Sequence, residues 1–361
     1  MHPAAELAAR IVNRGPVTKG RVNRGEPVSP WASNDDARSP WMRPTSFPRR
    51  AALAMILLGA TLQAAATTVT LPLPWKDGMR VNYLGRSVQE DRRGGKVRRT
   101  ETRETDVLRI TETGPGGFLQ VWRTSDSQVK VSGDAAGLEG DRALMLALAQ
   151  RFERLPMQAE LDAQGNFVRL RNWQALGAAM REVMLPVLLE QNRAKAQAAG
   201  VDEATLRTRM EAALERITGE QALSSTLGRQ AAVYNFFTGA SLVRGKPVAY
   251  TDVVPSPWTA DILPTRGSFE LGDVNANTVT IRWKQSLDTD KGAELMKRVV
   301  RQLVGGDLPK GEAPPELSLS DTATVVMERR TGLPLRIVQV RRIRAGGTLK
   351  TTTWTLEKLP D

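Results

Sequence analysis

The fold class that this sequence predicts is α+β: a curved antiparallel β-sheet, half-barrel-like, with a helical insert packed on one face. Three observations carry that expectation. Alternating apolar and polar runs fill both ends of the chain after residue 66, a block of helical periodicity separates them, and Gly-rich turns join consecutive runs. Neither end alone has enough hydrophobic strands for a core, so strands remote in sequence must share one sheet. Residues 67–361 therefore read as a single domain with its insert at about 172–228.

The chain before that domain has a different texture. Residues 1–41 are rich in Arg, Asn, Pro and Ser without periodicity, and read as a disordered leader or a mis-assigned start. Residues 42–66 read as a signal peptide. Arg49-Arg50 precedes the apolar run Ala51 to Leu62, and Ala64 and Ala66 form an Ala-x-Ala cleavage signal. The apolar run is shorter than the roughly 20 residues of a permanent membrane helix. A periplasmic or secreted protein, cut near Ala66, is expected.

The first β region begins at Thr67. Val81 and Tyr83 alternate, Val107 to Thr113 ends at Gly114-Pro115-Gly116-Gly117, and Phe118 to Arg123 and Gln128 to Ser132 follow. Ala159 to Val168 reads as a hairpin turning at Gly165. The second region holds Gly267 to Leu271, then Thr278 to Lys284 with Val279, Ile281 and Trp283 on one face. A meander closes the chain: Ala323 to Arg329, Leu335 to Ile343 and Leu349 to Leu356, turning at Thr331-Gly332 and Gly346-Gly347. The Trp residues of this part (75, 122, 173, 258, 283 and 354) are expected to be largely buried.

In the insert, Trp173, Leu176, Met180, Val183, Met184, Val187 and Leu188 recur at helical spacing, and Pro186 should kink or end that helix. Asp202 should cap a second helix that closes at Gly219, with a short third from Glu220 to about Leu227. A further helix, Lys291 to Val304, is expected behind a cap at Asp290, followed by a Pro/Gly-rich loop at 305–315.

Composition removes much chemistry. The sequence has no Cys and a single His, His2, which precedes the signal segment. Disulfides, thiol nucleophiles, Ser-His-Asp triads and His-ligated metals are therefore excluded from the mature part. No catalytic residue, cofactor or metal site is expected, and the chain reads as a non-enzyme. Ser127 and Lys130 fit a Ser-x-x-Lys pattern, but in an alternating strand they point to opposite faces. Asp288 to Gly292 starts like a calcium loop yet has Val299 at the twelfth position. Of the net charge of +12, residues 1–66 supply +5, and the remaining surplus is interspersed with acids. Export makes nucleic acid an unexpected partner. Arg92, Arg93, Lys96, Arg98, Arg99 and Arg103, with Arg341, Arg342 and Arg344, read as a solvated sheet edge or face, with anionic lipid or cell-wall polymer as the alternative use.

The hairpin of Ala159 to Leu170 running directly into the Trp173 helix, and the meander Ala323 to Leu356, resemble bacterial periplasmic lipoprotein-carrier-type half-barrels and related secreted families. The resemblance is architectural, covers roughly residues 75–358 and implies a lipid- or envelope-binding role. In that reading Met180, Val183, Met184 and Leu188 line a cavity for an acyl chain; otherwise they simply cover the sheet. The alternatives are an envelope interaction module without ligand and, third, a carboxylate-based hydrolase, which a cluster of buried carboxyls in a cleft would favour.

Overall fold

Long hairpins with tight turns dominate the chain. The computed structural model describes residues 67–134, 138–256, 262–304 and 316–360. The expectations for the leader and signal peptide, for Trp258 and for the 305–315 loop lie outside the described residues.

A short β1 (Thr68–Thr70) leads to three long strands, β2 (Arg80–Arg93), β3 (Lys96–Gly114) and β4 (Gly117–Gly133). The two-residue turn between β2 and β3, Gly94-Gly95, has positive φ at both positions (55° and 78°), the geometry a tight hairpin of right-twisted strands needs. Next come α1 (Leu138–Glu153), β5 (Met157–Leu161) and β6 (Phe167–Leu170). The insert consists of α2 (Trp173–Ala198), α3 (Glu203–Thr218), α4 (Glu220–Thr226) and α5 (Gly228–Asn235). Then follow β7 (Ser241–Val243), β8 (Val248–Pro255), β9 (Ile262–Val274), β10 (Thr278–Leu287) and α6 (Thr289–Val304). β11 (Leu317–Glu328), β12 (Pro334–Ala345) and β13 (Thr348–Lys358) complete the order.

One antiparallel sheet of 11 strands takes in nearly all of this, in the order β6-β5-β4-β3-β2-β13-β12-β11-β10-β9-β8. The last strand pairs with the first long one, from Thr348 opposite Arg93 to Lys358 opposite Tyr83. The sheet curves without closing, and register shifts in β3, β9, β10, β11 and β5 mark bulges that bend the strands. β1 and β7 form a separate small ribbon.

Strand alternation gives the sheet one apolar face, and the helices cover it. The main apolar cluster joins Val81, Leu108, Ile110, Val279, Ile281, Val325, Ile337 and Leu356 of the sheet to Leu148, Leu176, Met180, Met184, Leu188, Leu214 and Leu223 of the helices. Tyr234 at the end of α5 is its aromatic hub, stacked on Trp75 (5.7 Å) and edge-on to Tyr83 (5.5 Å) and Trp122 (5.0 Å). Its hydroxyl lies 2.7 Å from that of Tyr83, which donates to the Pro334 carbonyl at 3.0 Å. Beside it, Asn235 and Gln120 exchange amide hydrogen bonds of 2.9 and 3.0 Å. Buried polar groups at a helix end are thus mutually satisfied, which anchors α5 in one orientation. A second, smaller cluster under α6 holds Val254, Leu263, Leu287, Val299, Leu319 and Ile343.

Several local expectations need correction. Pro186 does not end α2, which runs on for 26 residues with the proline exposed on its surface. Asp202 does cap α3, accepting from the Thr205 N–H at 2.8 Å, but Gly219 is extended (φ −70°) and links two helices rather than closing one in the left-handed region. Asp290 lies inside the first turn of α6; the helix begins earlier, with the Gly292 N–H donating to the Asp288 carbonyl at 2.8 Å. The basic cluster on β2 and β3 is not a sheet edge, since β3 lies between β2 and β4. Its residues are mostly exposed, and Arg98 is held by Asp91 (3.2 Å) and Asp141 (2.5 Å). Trp173 is only partly buried, whereas Trp75, Trp122, Trp283 and Trp354 are buried.

Candidate ligand site

Two structural features are candidates for a site: the apolar stripe of the helical roof and the polar middle of the sheet's inner face. On the roof, Met180, Met184 and Leu188 are fully buried in the main apolar cluster, and Val183 packs against it half-buried. All four come from one stripe of α2, as their spacing dictates.

The polar middle lies between the two apolar clusters. Register places Trp283, Ala323, Gln339, Trp354, Ser87 and Thr102 in one row across β10, β11, β12, β13, β2 and β3. Two residues along each strand, Gln285, Asp321, Arg341, Thr352, Gln89 and Thr100 form the next row on the same face. Most of these polar side chains are buried. Some are paired. Arg229 of α5 reaches Asp321 Oδ1 at 2.7 Å, Gln339 Nε2 donates to the same oxygen at 3.3 Å, and Gln285 Nε2 donates to Thr265 Oγ1 at 2.7 Å. Trp283 Nε1 donates to the Tyr250 hydroxyl at 2.5 Å, whose ring lies over Gly267, where a Cβ would come within 2.4 Å of it. Others are not paired. Trp354 Nε1, Thr102 Oγ1 and Asp321 Oδ2 have no hydrogen-bond partner among the described residues, although Trp354 is 6% exposed, Thr102 5% and Asp321 0%. An unsatisfied buried polar atom costs about 1–3 kcal/mol.

The row continues into a group of carboxyls. Thr102, Glu104 and Asp106 alternate onto the inward face of β3. Asp106 is 5% exposed and Glu104 half-buried. Thr124 Oγ1 donates to Asp106 Oδ1 at 2.7 Å. Both remaining approaches lean over Gly85: a Cβ there would lie 2.8 Å from Asp106 Oδ2 and 3.5 Å from Glu104 Oε1. Only glycine lets two carboxyls share that space.

Opposite Glu104 the β3–β4 register slips between Arg103 and Thr105, and Asp126 takes a positive φ of 56°. The Ser127 N–H of this bulge donates to Glu153 Oε1 at 2.9 Å, bringing the last residue of α1 to the same group. Burial, and then the neighbouring Glu104, push the Asp106 carboxyl up to about 8; Thr124 opposes this. Burial, with Glu153, also raises Glu104. No described Lys or Arg forms an ion pair with any of the three, and no group of described residues is arranged to hold a metal ion.

Sequence reasoning missed this polar middle. Glu104 and Asp106 stand in a run of charged and hydroxyl residues that reads as an exposed strand, and only their even spacing from Leu108 and Ile110 signals the inward face. Ser127 and Lys130 lie in β4, and Asp288 to Gly292 forms the start of α6. On the outward face, a dent of about 300 Å³ over β2, β3 and β13 is lined by Arg86, Glu90, Arg99 and three Thr.

No protein-family model matches the chain, and no curated protein matches it. Among solved structures it is similar to lipovitellin, in a structure described as showing lipid–protein interactions, at 7% identity and a TM-score of 0.39. That likeness covers 79% of this chain and a quarter (25%) of the other. It is also similar to an outer-membrane channel from Pseudomonas putida F1 at 7% identity and a TM-score of 0.21, over 80% of this chain and 97% of that one. Likenesses so slight carry no argument about function. No helix among the described residues is long and apolar enough to cross a membrane.

Proposed function

We propose that the protein is exported and binds a lipid or other amphiphilic envelope molecule between its sheet and its helical roof. One observation carries the reading: a single buried face combines a large apolar surface with two central rows in which Trp354 Nε1, Thr102 Oγ1 and Asp321 Oδ2 find no partner among the described residues. An acyl chain fits the first, since each buried methylene contributes about 0.8 kcal/mol, and a polar head fits the second. Export rests on Arg49-Arg50, the apolar run after it and the Ala64/Ala66 signal.

The buried carboxyls meet the condition set above for a hydrolase only in part. Acid–base catalysis by two carboxyls needs environments that push them apart, one kept ionised and one protonated. Here Asp106 and Glu104 are both raised. Binding is the better supported use.

Delipidated protein should change its Trp fluorescence on titration with lysophospholipid. Leu188→Arg should abolish the response, and Trp354→Phe, which keeps an aromatic ring but removes the N–H, should weaken it about tenfold, the equivalent of ~1.4 kcal/mol. No response to any lipid class would leave the ligand-free interaction module ahead. N-terminal sequencing of the exported product should read from Thr67.

A further inference from the structure

We propose that Glu104, Asp106 and Thr102 form a seat for a primary ammonium group, so that the amphiphile bound here carries an amine in its head; this rests on the amphiphile reading above. Three acceptors stand at alternate positions on one face of β3. Asp106 Oδ2 and Glu104 Oε1 lean over Gly85, within 2.8 and 3.5 Å of the point its Cβ would occupy. Thr102 Oγ1, two residues before Glu104 on the same face, is buried and has no partner among the described residues. A primary ammonium has three N–H donors, one for each acceptor.

The charge balance agrees. Glu153 reaches the group from α1 through its bond with the Ser127 N–H, so three carboxyls meet where no described Lys or Arg pairs with them. Buried like charges destabilise one another unless a cation joins them or they hold protons. The bulge at Asp126, the absent Cβ of Gly85 and the unpartnered Thr102 are separate features of three adjacent strands, β4, β2 and β3. Bulges of this kind re-aim side chains beside binding sites. The apolar surface of Tyr83, Leu108 and Trp122 lies next along the same face, where the chain of an amphiphile would run.

The test uses the full chain, delipidated, with three lysophospholipids of one acyl length. Lysophosphatidylethanolamine should bind about tenfold or more tighter than lysophosphatidylcholine, which has the charge but no N–H, and lysophosphatidylglycerol should bind weakest. Glu104→Gln combined with Asp106→Asn should collapse that order while leaving lysophosphatidylglycerol bound. Both substitutions keep shape and remove the carboxyls that would face the ammonium, and thermal melts of the variant should confirm that it folds. Equal affinities for the three lipids overturn the seat and leave the amphiphile reading standing; binding of none overturns both. Persistence of the preference in the double variant places the ammonium elsewhere and overturns the assignment. Displacement of the lipid by glycerophosphoethanolamine at comparable concentration would show that a soluble amine is the ligand, and overturns the amphiphile as its source.

Discussion

Trp283 and Asp106 show how much one side chain can carry in this sheet. Trp283 packs its ring against Phe236 (5.9 Å) and gives its N–H to Tyr250, so its removal takes away both aromatic surface and a satisfied hydrogen bond. Trp283→Ala should cost about 3–5 kcal/mol in chemical unfolding, and a cost below about 1 kcal/mol would show that the ring does not face the core. Asp106 acts with the opposite sign. Its carboxyl, ordinarily near 3.8, titrates at about 8 in the folded protein, so between those values the native state holds a proton that the unfolded chain has lost. Stability therefore falls as pH rises through that window, by at most about 1.4 kcal/mol per pH unit from this group. Asp106→Asn should flatten the decline between pH 5 and 8 and raise the melting temperature at pH 8. An unchanged slope would mean that Asp106 is not the buried acid.

Among the elements, the strands were more legible than the helices. Period-two alternation with Gly turns located the hairpin at Gly165, the meander through Gly332 and Gly346, and the phase of β10, because half-buried strands write their burial directly into sequence. The helix α1, with a weak apolar stripe, was not visible between two strands, nor was α5, whose buried residues include Gly, Ala and Asn. The carboxyls of β3 were hidden for a related reason: alternation identifies a core face by apolar residues, and here polar residues continue that face inward. Pro186, which does not end its helix, is a different case. A proline removes one backbone bond and crowds the preceding turn, yet packing of Met184, Leu188 and Leu189 on either side holds α2 together across it. Pro186→Ala should then raise stability, by up to about 3 kcal/mol, since the restored bond meets no tertiary obstacle at an exposed position. A loss of stability in thermal unfolding would show that α2 needs its proline geometry to seat on the sheet.

At the scale of the whole molecule, the sheet depends on one seam. The N-terminal strands β2 to β6 and the C-terminal strands β8 to β12 meet only through β13, whose 11 residues all have partners in β2 and nearly all in β12. The roof adds a second tie across it, since α5 sets Tyr234 edge-on to Tyr83 of β2 and pairs Arg229 with Asp321 of β11. The two ends of the chain should therefore lose structure together, in a single transition whose calorimetric and van't Hoff enthalpies agree. Thr353→Pro tests this at the point of greatest leverage. Thr353 faces Val88 on one side and Val340 on the other, so proline there removes a ladder donor from a strand that has no free edge. Hydrogen exchange should then show protection falling in β3 and in β10 alike, with the freed edges of β2 and β12 driving association in size-exclusion chromatography. If β9 to β12 kept their protection while β2 to β4 exchanged freely, the halves would be separate folding units, and the seam a contact between them.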